Sequence, residues 1–390
     1  MISSPQGIIA TLFFIEATIF FLAENKYTKK FFNVLPPMFW IYFLPMLCSS
    51  LNIIPQKSEI YKIISDNVLP VSLVILLLSV NIPAILKLGK NALIMFFAGT
   101  LGTIFGGTLS FLIFKHWLPQ DAWKGWGALS GSWIGGSANM LAVKESISTP
   151  DNVFLPVVVV DTIVAYSWMG ILIFFAAYQK IFDKWNNADI KVVEELNKRI
   201  QEEISTKRKY LTLKHTSLIF AIGIIVTAVS LELSKFFPVI KNVISSYTWT
   251  IILVTTFGVL LSFTRCKELE HYGASKIGYW LLYFVLASVG GRASLKDIST
   301  TPIFILAGCV WIIIHATVLF IFARLTKSPL CLTATASQAN IGGPASAPVV
   351  AAVYQPALAP VGLLMAILGN IIGTYGGILC SQLCYLVSKI

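Results

Sequence analysis

Ile134-Gly135-Gly136-Ser137-Ala138-Asn139 sits inside a long apolar run, and Ile341-Gly342-Gly343-Pro344-Ala345-Ser346 sits inside another. The second follows the first by about 207 residues, close to half the chain, and paired glycine breaks in matching halves of a membrane chain mark a transporter's binding site. Glycine permits the positive φ and close backbone approach that a turn inside a membrane needs. Such a turn leaves N–H and C=O groups unpaired, so it has to be buried in protein or line a wet cavity.

Around these motifs the chain stays apolar. Of its 390 residues, 56% are hydrophobic and 12% are charged, and mean hydropathy is +0.78. A soluble chain carries about twice that share of charge. Several runs reach the roughly 20 apolar residues that span a bilayer, which gives an all-α polytopic membrane protein. The N-terminus does not read as a cleaved signal peptide, because no basic residue precedes the first apolar run. Lys26, Lys29 and Lys30 follow that run, which places the N-terminus outside by the positive-inside rule. The net charge of +11 comes from Lys and Arg in short loops between apolar runs, a topology signal rather than a nucleic-acid footprint. The six cysteines are Cys48, Cys266, Cys309, Cys331, Cys380 and Cys384. Cys380 and Cys384 share a helix face, but no second pair completes a metal tetrad, so buried thiols are expected.

Spans are expected at about 7–22, 37–54, 60–80, 91–114, the glycine-broken 125–144 and 153–178, then at 214–237, 247–263, 275–291, 300–323, the broken 331–352 and 357–388. The second series tracks the first, with Asp161 falling on Asn370 and Tyr166 on Tyr375, which reads as an internal repeat. The chain thus divides into a first membrane repeat over 1–178, a linker over 179–213 and a second membrane repeat over 214–390. The linker carries many Lys and Arg and is placed on the cytoplasmic side with the loop at 23–36. Both can be cytoplasmic only if the broken segment re-enters rather than crosses. Each half is then about five crossings plus a re-entrant hairpin or discontinuous helix, and the second half is an inverted copy of the first. Within the linker Ile190, Val193, Asn197, Ile200 and Ile204 lie near one helical face, as in a surface amphipathic helix or a solvated charged helix.

Each hairpin offers a half-helix N-terminus with free N–H groups and partial positive charge, which suits an anion. Ser137 is a suitable N-cap, and Pro344 fits a first helical turn. Gly135, Gly136, Ser137, Asn139, Asn340, Gly342, Gly343 and Ser346 are therefore the candidate substrate-binding residues. Asp161, in the middle of an apolar run, is costly there unless it works. Asp161, Ser132, Gln338 and Asn370 are the candidate coupling-ion residues, with Na⁺ as the candidate metal. Small residues also let membrane helices pack closely, so the motifs have a purely structural alternative. Glu16 and Glu232 lie about two turns from helix ends, within reach of the interface. His315 reads as a packed, hydrogen-bonded residue. No zinc-protease motif, nucleophile elbow, P-loop or paired intramembrane aspartates occur, so no enzyme activity and no organic cofactor are expected.

Gly131-Ser132-Trp133-Ile134-Gly135-Gly136-Ser137-Ala138-Asn139 and Ala336-Ser337-Gln338-Ala339-Asn340-Ile341-Gly342-Gly343-Pro344-Ala345 resemble the signatures of the YjcL-like membrane family, a domain-of-unknown-function group. Asp161, Thr162, Tyr166 and Trp168 extend the resemblance, which covers nearly the whole chain. More distantly, the plan is similar to sodium/glutamate symporters, bacterial citrate carriers and bile acid–sodium symporters. That likeness implies inverted halves with re-entrant hairpins and elevator-like transport. The chain departs from the glutamate symporters after the glycine pair, so glutamate itself is not implied. The expectation is a multi-pass protein of the bacterial cytoplasmic (inner) membrane. It would act as a secondary active transporter of a small anionic or zwitterionic organic solute, such as a carboxylate, amino acid or short peptide, coupled to Na⁺ or H⁺. A passive facilitator on the same fold is the alternative, and an intramembrane enzyme a more remote one. The expected partners are the solute and the bilayer, with a homodimer as the candidate assembly and no nucleic acid.

Overall fold

The computed structural model describes residues 1–78, 80–188, 210–240, 245–294 and 301–390. Every regular element among them is helical: α1 (Pro5–Glu24), α2 (Lys29–Val34), α3 (Pro37–Ser50), α4 (Glu59–Leu78), α5 (Ile82–Leu86), α6 (Gly89–Phe114), α7 (Ala122–Gly135), α8 (Ser137–Ser146), α9 (Asp151–Phe175), α10 (Gln179–Asn186), α11 (Leu213–Ser234), α12 (Ser246–Ser262), α13 (Ala274–Arg292), α14 (Thr301–Thr326), α15 (Leu330–Ile341), α16 (Gly343–Tyr354) and α17 (Ala359–Ser388), with short 3₁₀ turns between some of them. Among the described residues seven helices are long and apolar enough to cross a membrane, and an eighth is added if the bent pair Ser246–Ser262 and Arg265–Tyr272 is one span. The amphipathic segment expected over Ile190 to Ile204 lies outside the described residues.

Boundaries follow local chemistry. Ser4 caps α1 by accepting from the Gly7 N–H, and Pro5 fills the first turn, where a missing N–H costs nothing. Ser245 and Thr248 bond reciprocally at the head of α12. The run expected at 37–54 stops being helical at Ser50, and Asn52 turns the chain with a φ of 58°.

Packing sorts the helices into two groups. In the peripheral group, α13 lies against α3 and α4, α4 against α12 and α11, and α1 against α3. In the inner group, α6 lies against α14 and α17 against α7, with α9, α15 and α16 around them. Glycine brings α6 and α14 together. A β-carbon at Gly102 would stand 3.1 Å from the His315 carbonyl oxygen, and one at Gly106 would stand 2.8 Å from the Trp311 ring. Between the groups, α8 packs on α4 and α12, α17 on α12, and α9 on α3.

Hydrogen bonds identify the two ends of the bundle. At the first end the Ile2 N–H donates to the Ile53 carbonyl at 2.7 Å, Lys115 Nζ to the Val387 carbonyl at 3.2 Å, and Ser245 Oγ to the Ser146 carbonyl at 3.1 Å. At the second end Asn186 Nδ2 donates to the carbonyls of Ala323 and Ser328, and Asp183 accepts from the Leu330 N–H at 2.7 Å. The segment α7–α8 starts at the first end, where Trp123 lies 4.9 Å from the Tyr385 ring. It also finishes there, at Ser146. The segment α15–α16 starts at the second end, at Leu330, and finishes with the Tyr354 hydroxyl donating to the Leu172 carbonyl at 2.6 Å. The two breaks meet between these ends.

Candidate functional site

Each break turns on one glycine in the left-handed region. Gly136 has φ +81° with ψ −179°, and Gly343 has φ +63°. A side chain at either position is strained by the backbone alone. The turns touch: a β-carbon at Gly343 would lie 3.7 Å from the Gly136 α-carbon. Gly136 itself occupies the N-cap of α8, so Ser137 is the first helical residue and makes no capping bond. That corrects the expected cap: a glycine in this conformation closes the turn without a side chain. Pro344 does fall in the first turn of α16.

A cavity of about 530 Å³ opens beside the tips. Ser132, Gly136, Ser137, Gly342 and Ser346 line it, together with Asp161, Thr162 and Tyr166 of α9 and Tyr283 of α13. Its wall continues through Ala165, Met169, Ala345 and Val349 to Phe32, Pro36, Pro37 and Met38, where α2 passes into α3. Asp161 supplies a carboxylate to this wall, and among the described residues no Lys, Arg or His lines it. Asp161 is 8% exposed and lies beside the Ser132 and Trp133 side chains.

The remaining candidates lie away from the lining. Asn139 donates to the Gly135 carbonyl at 2.7 Å and accepts from Thr374 at 2.6 Å. Asn340 donates to the carbonyls of Phe96 and Ala336 and accepts from Thr100 at 3.0 Å. Both amides tie the hairpins to α17 and α6, which places them outside the expected solute contact. Gly135 is a packing position, since a β-carbon there would stand 2.4 Å from the Gly369 carbonyl oxygen. Gln338 Nε2 donates to Ser346 Oγ at 2.7 Å, bracing the second break across Gly342. Its buried Oε1 has no hydrogen-bond partner among the described residues. Asn370 lies next to Gly136 and beside the Tyr279 hydroxyl.

His315 is packed and bonded, as expected, between Thr103 at 3.1 Å and Ser337 at 3.0 Å. Ser337 also accepts from the Trp168 indole at 2.9 Å. Glu16 differs from the expectation. It is 1% exposed on the packed face of α1, and neither oxygen has a hydrogen-bond partner among the described residues, so it does not reach the interface. Glu232 is exposed and paired with Lys235 at 2.7 Å. Sequence reasoning missed Tyr283, which a distant helix brings to the cavity. It also missed a charged cluster of Lys144, Glu145, Asp151 and Arg292 at the first end. The available signal was the pair Lys144-Glu145 at the end of a segment otherwise free of charge after Lys124. Among the described residues, no group of three His, Cys, Asp or Glu could hold a metal ion.

The family described as "Protein of unknown function (DUF819)" matches residues 10–386, and the chain belongs to it. A relative is the "Uncharacterized membrane protein YjcL" of Bacillus subtilis (strain 168), 28% identical over 351 residues, covering 85% of this chain and 86% of the relative.

Proposed function

We propose that this member of the DUF819 family is a secondary active transporter of a small zwitterionic or singly charged organic solute, driven by Na⁺ or H⁺. The observation that carries the proposal is the meeting of two glycine turns, each opening a half-helix, beside a cavity that also holds Asp161. The half-helix N-termini favour a carboxylate group. Asp161 favours the coupling cation or an ammonium group. A wall with one carboxylate and, among the described residues, no basic side chain disfavours a di- or tricarboxylate.

The two halves are read as inverted repeats with re-entrant hairpins. Support comes from helices at matching places that take matching partners: α6 packs on α14 and α4 on α13, while the pairing of α9 with α14 matches that of α17 with α6. The charge rule puts the second end in the cytoplasm, because Lys26 and Lys29 follow α1 and Lys180 and Lys184 follow α9. This gives a multi-pass protein of a bacterial cytoplasmic membrane, with the cavity reached from inside. No cofactor beyond the coupling ion enters the reading.

The test is uptake of amino acids and monocarboxylates into proteoliposomes under imposed Na⁺ or pH gradients. The solutes are chosen beforehand by ligand-induced thermal stabilisation of the purified protein. Accumulation that follows an ion gradient supports the proposal. Equilibration that ignores every gradient makes the protein a passive facilitator.

A further inference from the structure

The charged cluster at the first end joins the two helix groups. Lys144 and Glu145 close α8, and Asp151 opens α9, both in the inner group. Lys144 Nζ, 2% exposed as a residue, lies 3.0 Å from Glu145 Oε1 and 3.0 Å from Asp151 Oδ1. Arg292 is the last residue of α13, in the peripheral group. Its Nη2 donates to Glu145 Oε1, and its Nε lies 3.7 Å from Asp151 Oδ2.

Charge balance gives Arg292 a distinct part. The inner group contributes two carboxylates and one ammonium, a net charge of −1, and Arg292 supplies the missing +1. Polar bonds around the cluster cross the same seam. The Ser146 carbonyl accepts from Thr248 Oγ1 at 2.6 Å and from Ser245, and Ser65 Oγ of α4 lies 3.5 Å from Glu145. Lys144 is buried, while the side chains of Glu145, Arg292 and Asp151 keep 12%, 19% and 29% of their surface exposed. Parting the seam takes Arg292 from both carboxylates and leaves the inner group with its net charge of −1, a cost that is largest where the groups are least exposed. The cavity beside the glycine turns extends toward the second end, and a separate cavity of about 860 Å³ at the first end is lined by Ser146, Ser245 and Thr248 of the seam. Val349 and Val353 of α16 are each 47% exposed, and the cavity runs past Val349 to Met38.

We propose that Arg292, docked on Glu145 and Asp151, is a latch that holds the first end shut while the cavity is open at the second, and that its release admits solute from the first end. The latch rests on the transporter reading, but it is tested by exposure rather than by uptake. In protein whose native cysteines have been replaced, single cysteines are placed at Ser65, fully buried at the seam, and at Val349, on the open wall. Maleimide labelling rates are measured in membranes accessible from both sides. With the latch intact, position 65 labels slowly and position 349 rapidly. Arg292→Gln is expected to speed labelling at 65 by about tenfold or more and to slow it at 349, because both rates follow one population shift. Asp151→Asn, a milder change that leaves the Glu145 contact in place, is expected to move both rates the same way by less. Faster labelling at 65 without slower labelling at 349 means local loosening and overturns the latch, as do rates that do not move in either variant. Gradient-driven uptake that persists after such a result leaves the transporter reading standing.

Discussion

The two broken helices share a turn and differ in everything around it. Gly136 and Gly343 occupy equivalent places, both with positive φ, and they touch. Beyond the turn, α8 packs on α4 and α12, with Met140, Leu141, Ala142 and Val143 fully buried, and it ends in a charged cluster. Its counterpart α16 carries no charge and leaves Ala345, Val349 and Val353 exposed. One hairpin is thus closed against the peripheral helices and the other is not. On the transporter reading, the turn would set where a solute sits and the flanking residues which side of it is sealed.

The comparison is tested most severely where the first hairpin meets α17. A β-carbon at Gly369 would stand 2.1 Å from the Ile134 carbonyl oxygen, a collision with backbone that no rotamer relieves. Gly369→Ala is expected to cost about 3 kcal/mol, read as a fall in thermal midpoint in detergent. An unchanged midpoint would show that α7 is free to shift on α17. Next come the turns themselves. Gly136→Val and Gly343→Val are each expected to cost about 1–3 kcal/mol of backbone strain and to abolish uptake while membrane insertion persists. A β-carbon at either position meets nothing closer than 3.7 Å, so backbone strain rather than a clash at the β-carbon is the cause. Full uptake in both variants reduces the glycines to packing residues.

Asp161→Asn sharpens the comparison at the cavity, because α9 supplies a carboxylate there and the matching place on α17 is the neutral Asn370. The variant is expected to fold normally and to lose gradient-driven accumulation, with uptake no longer responding to Na⁺ or pH. Unaltered ion dependence assigns Asp161 a structural part. The smallest effect is expected outside both hairpins. Glu232→Gln breaks an exposed pair with Lys235, and stability should stay within about 0.5 kcal/mol in denaturation measurements.

The spans and breaks were legible because hydropathy and glycine placement act locally. Leu213 to Ser234 or Thr301 to Thr326 must form apolar helices whatever surrounds them, and an adjacent glycine pair in an apolar run announces a turn. Side-chain direction was not legible. Asn139 and Ser137 both follow a glycine turn, yet Ser137 faces the cavity and Asn139 reaches Thr374, a choice made by how α17 crosses α7. The latch was hidden for a related reason. Glu145 and Arg292 are 147 residues apart, and only the packing of α13 against α4 brings them to one seam. Glu16 misled because distance from a helix end says nothing about which face it occupies.

The contact between Gly136 and Gly343 has a consequence for how such a protein could change its solute. Gly136 and Gly342 line the cavity at the two turns, with Ser132, Ser137 and Ser346 beside them, and neither Gly136 nor Gly343 can be exchanged without straining its turn. If the cavity holds a solute, selectivity would not be rewritten at the turning glycines. Variation has to enter through the walls, at places such as Phe32, Met38, Tyr166, Met169 and Val349, which border the cavity without forming either turn. On the transporter reading, fixed turns with replaceable walls would let one mechanism serve many solutes.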